Sequence, residues 1–285
     1  MCSSDLVFSI KQTAVPAGVL ICGFLGPAMA VALGWRGAML ATAAACVTGA
    51  AMLQPLRPRF DDDRVPSRRF RLSDFRATIA SVLTARDLRG LSFACFAFNG
   101  IQSVFIAYFV TYLVALGYEL AAAGFLFSLI VAIAMPCRIL WGWLGSFYLA
   151  PRLVMAGLAL GMAASVALTG LFSAAWPFAA VALVGAVVSA TAVSWHGILL
   201  SETARLAPAG RVGAVTGGVL SFGQIGAFAG PLVFSLLLHL TGDYGAGWAV
   251  CAIPALWVAV SLLRSRAPAE RSDVLTAETT RANTR

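Results

Sequence analysis

Residues 11–27 read Lys-Gln-Thr-Ala-Val-Pro-Ala-Gly-Val-Leu-Ile-Cys-Gly-Phe-Leu-Gly-Pro, with two prolines and three glycines set into an apolar run. A near-copy of its end, Gly-Phe-Leu-Gly-Pro27, returns as Ala-Phe-Ala-Gly-Pro231 close to the other end of the chain. If Pro27 is laid on Pro231, Gly26 falls on Gly230 and Cys22 on Gly226, and a Gly-Trp pair follows each time, Gly34-Trp35 and Gly247-Trp248. Small residues at every fourth position of the first run, Gly18, Cys22, Gly26, Ala30 and Gly34, form one helical face on which a neighbouring backbone can approach closely. The proline removes a backbone donor and bends the helix, which a membrane tolerates when a neighbour or water satisfies the freed carbonyl.

The rest of the chain explains why such runs are helices in lipid. Of 285 residues, 60% are apolar and 11% charged, against roughly 25% charged in soluble proteins. Apolar runs of the ~20 residues needed to cross a bilayer recur at eight places, near 14–34, 37–54, 90–115, 121–147, 153–172, 176–200, 212–240 and 246–264. They lack the period-two alternation of barrel strands, so the reading is an all-α polytopic membrane protein.

The net charge of +8 is an orientation signal, not a nucleic-acid footprint, because its arginines alternate with the spans. Those between residues 57 and 89, then Arg152, Arg205, Arg211, Arg264, Arg266 and Arg271, fall on one side. The connections around Gly117-Tyr118-Glu119, Ser173-Ala174-Ala175 and Thr241-Gly242-Asp243 carry no Lys or Arg, and only Arg36 breaks the pattern. The positive-inside rule makes the basic side cytoplasmic, with both termini there, as in an integral multi-pass plasma (inner) membrane protein. The six cysteines stand singly, without metal spacing, and no cofactor or metal is expected. No cleavable secretory signal is read at Met1-Cys2-Ser3-Ser4-Asp5-Leu6.

The matching helices are the first with the seventh and the second with the eighth, an offset of six. A six-helix unit repeated in parallel needs twelve spans, so the eight here read as helices five to twelve, with four expected ahead of residue 1. The expected division is 1–55, the last two helices of an N-terminal bundle; 56–89, a basic linker; 90–264, a six-helix C-terminal bundle; and 265–285, a disordered tail. Within the linker, Ser73-Asp74 can cap a short interfacial helix with Phe75, Ile79, Val82 and Leu83 on one face, or the segment is an ordinary solvated linker.

These features resemble the major facilitator superfamily of secondary transporters. Gly18 through Pro27 is similar to the proline-glycine pattern of that family's fifth helix. Arg138-Ile-Leu-Trp-Gly142-Trp-Leu-Gly-Ser146, followed by Arg152, is similar to the motif between its helices eight and nine, with Ser146 where the family has Asp. The resemblance extends to the loop Glu202–Gly217 and covers residues 8 to 264. It implies two bundles rocking around a midplane site and a cytoplasmic gate at Arg138, Gly142, Ser146 and Arg152, whose ionic latch the serine puts in question.

No paired carboxylates, nucleophile-base pair or metal cluster marks an enzyme; Glu119, Glu202 and Asp243 lie in loops or at span edges. Polar residues inside spans are the pointers to a substrate path. Asn99, Gln102 and Ser103 share one face ~15–20 Å deep by helical rise, with Tyr108 and Tyr112 further out as an aromatic gate. Against this stands a plain interhelical hydrogen bond. Ser189, Ser194, Trp195 and His196 are the counterparts on the sixth span, where His196 is either a proton-coupling group or a histidine satisfied by a carbonyl. Arg138 gates or binds an anionic solute. Partners are then a small solute, a co-transported ion or proton, and the lipid bilayer, with no nucleic acid. The function expected is a secondary carrier of small organic solutes, incomplete in this chain and unable to transport by itself; the alternatives are a non-transporting scaffold fragment and, behind it, a membrane-embedded enzyme.

Overall fold

A computed structural model describes residues 14–59, 72–208 and 210–264. The N-terminal lead Met1–Leu6, the central arginines Arg64, Arg68, Arg69 and Arg71, and the tail 265–285 lie outside the described residues, as do the side chains of Pro27 and Asp74. The described chain is helical, in the order α1 (Ala14–Leu53), α2 (Leu72–Thr84), α3 (Arg86–Ala115), α4 (Leu120–Phe147), α5 (Pro151–Thr169), α6 (Phe178–Val188), α7 (His196–Leu206), α8 (Val212–Thr241) and α9 (Tyr244–Arg264). A π-helical segment, Ser189–Val193, stands between α6 and α7.

Among the described residues seven helical runs are long and apolar enough to cross a membrane. The two expected spans 14–34 and 37–54 fall within α1, which continues through both with one break, at Gly34 (φ 70°, ψ 165°). Glycine alone adopts that backbone without a Cβ penalty, so two helices meet at Gly34 without a polar connection, at the boundary expected between the two spans.

Two helix pairs carry the interior. Along α3 and α8 the backbones meet through glycine: a Cβ on Gly230 would stand 2.6 Å from the Gly100 carbonyl oxygen, one on Gly226 would collide with the Phe96 carbonyl, and one on Gly100 would stand 3.2 Å from the Gly226 oxygen. Close approach exchanges side-chain volume for extensive dispersion contact, the currency of association where lipid removes the hydrophobic drive. The second pair, α5 with α9, meets at one end, where a Cβ on Gly170 would lie 2.9 Å from the Gly245 oxygen. Beside that contact Tyr112 stacks on Phe172 and Tyr244, and Phe234 packs edge-on to Trp248.

The N-terminal copy of the motif has different surroundings. A Cβ on Gly18, Gly26 or Gly34 would meet nothing within 4 Å, and Cys22 is exposed, so the close approach expected along this stripe is absent among the described residues. The paired tryptophans also part company: Trp248 is fully buried, whereas Trp35 is 66% exposed, with the Arg36 guanidinium 5.1 Å from its ring centroid. A small-residue stripe permits a backbone contact; it does not supply the partner. α3 offers α8 its own Gly100, while α1 packs against α4, and its Val31, Met39 and Leu40 are exposed.

Candidate functional site

The run Phe178–Leu206 crosses as one apolar segment, yet its helix is interrupted in the middle. Residues Ser189–Val193 widen into a π turn, Ser194 leaves helical geometry (φ −110°, ψ 5°), and α7 starts at His196. A π turn inserts a residue and releases carbonyls from the i→i−4 ladder, and in hydrocarbon each must find a donor. Here α4 supplies donors. The Trp141 indole Nε1 donates to the Ala190 oxygen at 2.7 Å and to Ser194 Oγ at 3.2 Å. The Arg138 guanidinium donates to the Val193 oxygen from Nε at 3.1 Å and from Nη2 at 2.6 Å. Ser194 Oγ also returns a hydrogen bond to the Ala190 carbonyl. Arg138 is 1% exposed; a charge so placed is costly in a membrane unless it is bonded, and the opened helix is what bonds it.

From the other side α3 reaches the same break. Trp195 Nε1 donates to Gln102 Oε1 at 3.1 Å, Phe98 sits edge-on to the indole, and the His196 ring stacks on Trp195 at 3.8 Å between centroids. His196 Nδ1 and Ser189 Oγ are buried with no hydrogen-bond partner among the described residues. Thus Gln102, Ser189, Ser194, Trp195, His196 and Arg138 are brought into one polar cluster around the interruption.

Other expected path residues go elsewhere. Asn99 Nδ2 donates to the Gly223 oxygen at 2.9 Å, an interhelical bond across the α3–α8 seam. Ser103, one helical position past Gln102, is half-buried. Tyr108 donates to the Pro231 carbonyl at 3.3 Å and stacks on Phe234, and Tyr112, 4% exposed, donates to the Phe172 carbonyl at 3.1 Å. Both tyrosines are thereby tied into the packed aromatic end of the bundle.

The four gating candidates are not brought together. Arg138 belongs to the helix interruption, and Ser146 Oγ donates at 2.8 Å to the carbonyl of Gly142 within its own helix. Arg152 instead lines a cavity of ≈ 460 Å³ at the basic end of the bundle. Glu202, placed by sequence at a span edge, is 7% exposed and takes both Nε and Nη2 of Arg205, at 2.8 and 2.6 Å. Trp141 was not singled out by sequence, although its position three residues after Arg138, on the same helical face, is a signal for it.

Compared with family descriptions, residues 4–205 match the Major Facilitator Superfamily. The chain belongs to that superfamily. No curated protein matches it. As a major facilitator protein it is an integral membrane protein of a transporter family, and its polar cluster at an interrupted helix lies where such a membrane protein can admit irregular backbone, inside protein and away from lipid.

Proposed function

We propose that this chain is part of a secondary carrier of small organic solutes that works by alternating access, and that the solute is held where the helix 178–206 is interrupted. The observation that carries the reading is the opened mid-span backbone of residues 189–195, whose carbonyls are held by Arg138 and Trp141 while Gln102 and Trp195 close it from α3. Discontinuous helices near the bilayer midplane are where carriers place solute sites, because only there do unpaired backbone groups face a cavity instead of hydrocarbon. Gln102 and Trp195 satisfy each other in this closed arrangement, so an arriving solute exchanges one hydrogen bond for another. Residues 90–264 form the six-helix bundle that holds this half of the site, 56–89 the linker leading into it, and 1–55 a helix pair of the companion bundle. The basic face is cytoplasmic, since the described arginines alternate with the spans, and the membrane proposed is the plasma (inner) membrane.

The test is a melting-temperature screen of the detergent-solubilised chain against organic carboxylates, amines, amides and sugars. A solute that stabilises the native chain is expected to lose roughly tenfold in affinity in Gln102→Leu and in Trp195→Phe, the scale of one buried hydrogen bond. Thr42→Ala, on an exposed face of α1, should leave binding unaltered. A solute indifferent to both site variants would place the binding site elsewhere.

A further inference from the structure

The cavity of ≈ 460 Å³ lined by Arg152 shares no residue with the helix interruption. It lies where the starts of α3 and α5 meet the ends of α7 and α9, and Arg86, Arg89 and Arg152 line it. Among the described residues none of these three guanidinium groups makes an ion pair or a side-chain hydrogen bond. The carboxylates present do not balance them. Glu202 is engaged by Arg205 through both oxygens and Asp87 also acts on Arg205, so among the described residues two acids stand against four arginines.

The opposite wall is apolar and faces outward. Phe93 and Trp257 line the cavity while being 40% and 66% exposed, so in a bilayer they border lipid. Phe93 lies two helical turns inward from Arg86, and Trp257 two turns inward from Arg264, ~10 Å by helical rise. The cavity therefore runs from an arginine cluster at the membrane surface sideways and down into the hydrocarbon. A soluble anion uses only the arginine end, whereas an anionic phospholipid fits both, with phosphate on the guanidinium groups and acyl chain along Phe93 and Trp257. Basic pockets between transmembrane helices select anionic headgroups by charge and retain them by the chain.

We propose that this cavity is a binding site for an anionic phospholipid, its phosphate held by Arg86, Arg89 and Arg152 and its acyl chain lying against Trp257. Brominated acyl chains quench tryptophan on contact, which makes Trp257 a reporter. The full 285-residue chain and its Trp257→Phe variant are placed in phosphatidylcholine nanodiscs carrying a small fraction of brominated phosphatidylglycerol or brominated phosphatidylcholine, and the difference isolates Trp257. The expected result is enrichment of the phosphatidylglycerol at Trp257 by roughly a hundredfold, falling toward unity in R86Q/R89Q/R152Q, since each of the three basic groups near a membrane surface contributes roughly fivefold. R86K/R89K/R152K retains most of the preference, which separates charge from folding, and the native comparison stands without any arginine variant. Equal quenching by the two lipids in the native chain overturns the proposal. Retention of the phosphatidylglycerol preference in R86Q/R89Q/R152Q also overturns it, by removing the arginines from the site.

Discussion

At the scale of single residues, two glycines with the same sequence context have opposite physical roles. A methyl group on Gly230 would stand 2.6 Å from the Gly100 carbonyl oxygen, while one on Gly26 would meet nothing within 4 Å. Overpacking of this kind costs roughly 1–3 kcal/mol, whereas a methyl in open space on a helix costs nothing and adds propensity. Gly230→Ala is therefore expected to lower the detergent melting temperature by several degrees, and Gly26→Ala to leave it unchanged or raise it slightly. Equal sensitivity at the two positions would contradict the packing described for α3 and α8. The same scale explains Arg138. Its guanidinium gives two hydrogen bonds to one carbonyl, a forked geometry that the point charge of lysine does not reproduce.

At the scale of the element, the interruption between α6 and α7 decides which way Trp195 and His196 face. One inserted residue in a π turn rotates everything after it by about 100° relative to a continuous helix. Deleting Thr191 removes that residue and is expected to give a regular helix from 178 to 206. Helicity by circular dichroism should hold, while the Trp195–Gln102 hydrogen bond and any solute-induced stabilisation are lost. A deletion variant that still binds the stabilising solute with native affinity would dissociate the interruption from the site. α2 shows a related effect of packing on a short element. Its apolar face was legible in Phe75, Ile79, Val82 and Leu83, but what it meets was not: Val82 is fully buried, and its side chain and that of Thr78 approach Gly218 of α8, while Phe75 and Leu83 stay exposed.

At the scale of the molecule, the two ends of the bundle differ in kind. One end gathers arginines from α3 and α5 with the Glu202–Arg205 pair around a cavity; the other is an aromatic cluster of Tyr112, Phe172, Tyr244 and Trp248. If the basic end faces the cytoplasm, a cysteine placed at the exposed Glu119 in a cysteine-free background reacts with an impermeant maleimide added to intact cells, and one at Arg211 reacts only after the membrane is opened. The reverse labelling pattern would invert the proposed orientation.

The helical class, membrane residence and alternation of charge were determined by the sequence itself, because each follows from local composition: apolar runs long enough to span must close their own backbone hydrogen bonds, and arginines between them can be counted. The family was legible for the same reason, in short motifs around Pro27 and Arg138. Packing was not. Gly26 and Gly230 have matching neighbours along the chain, and only the tertiary structure places a second backbone against one and open space beside the other. Nor does any residue in Ser189–Val193 announce a π turn, since a widened helix persists in lipid only when another element satisfies the carbonyls it frees. Arg138 and Trp141 do so from a helix some fifty residues earlier, and a contact that distant is decided by how the helices assemble.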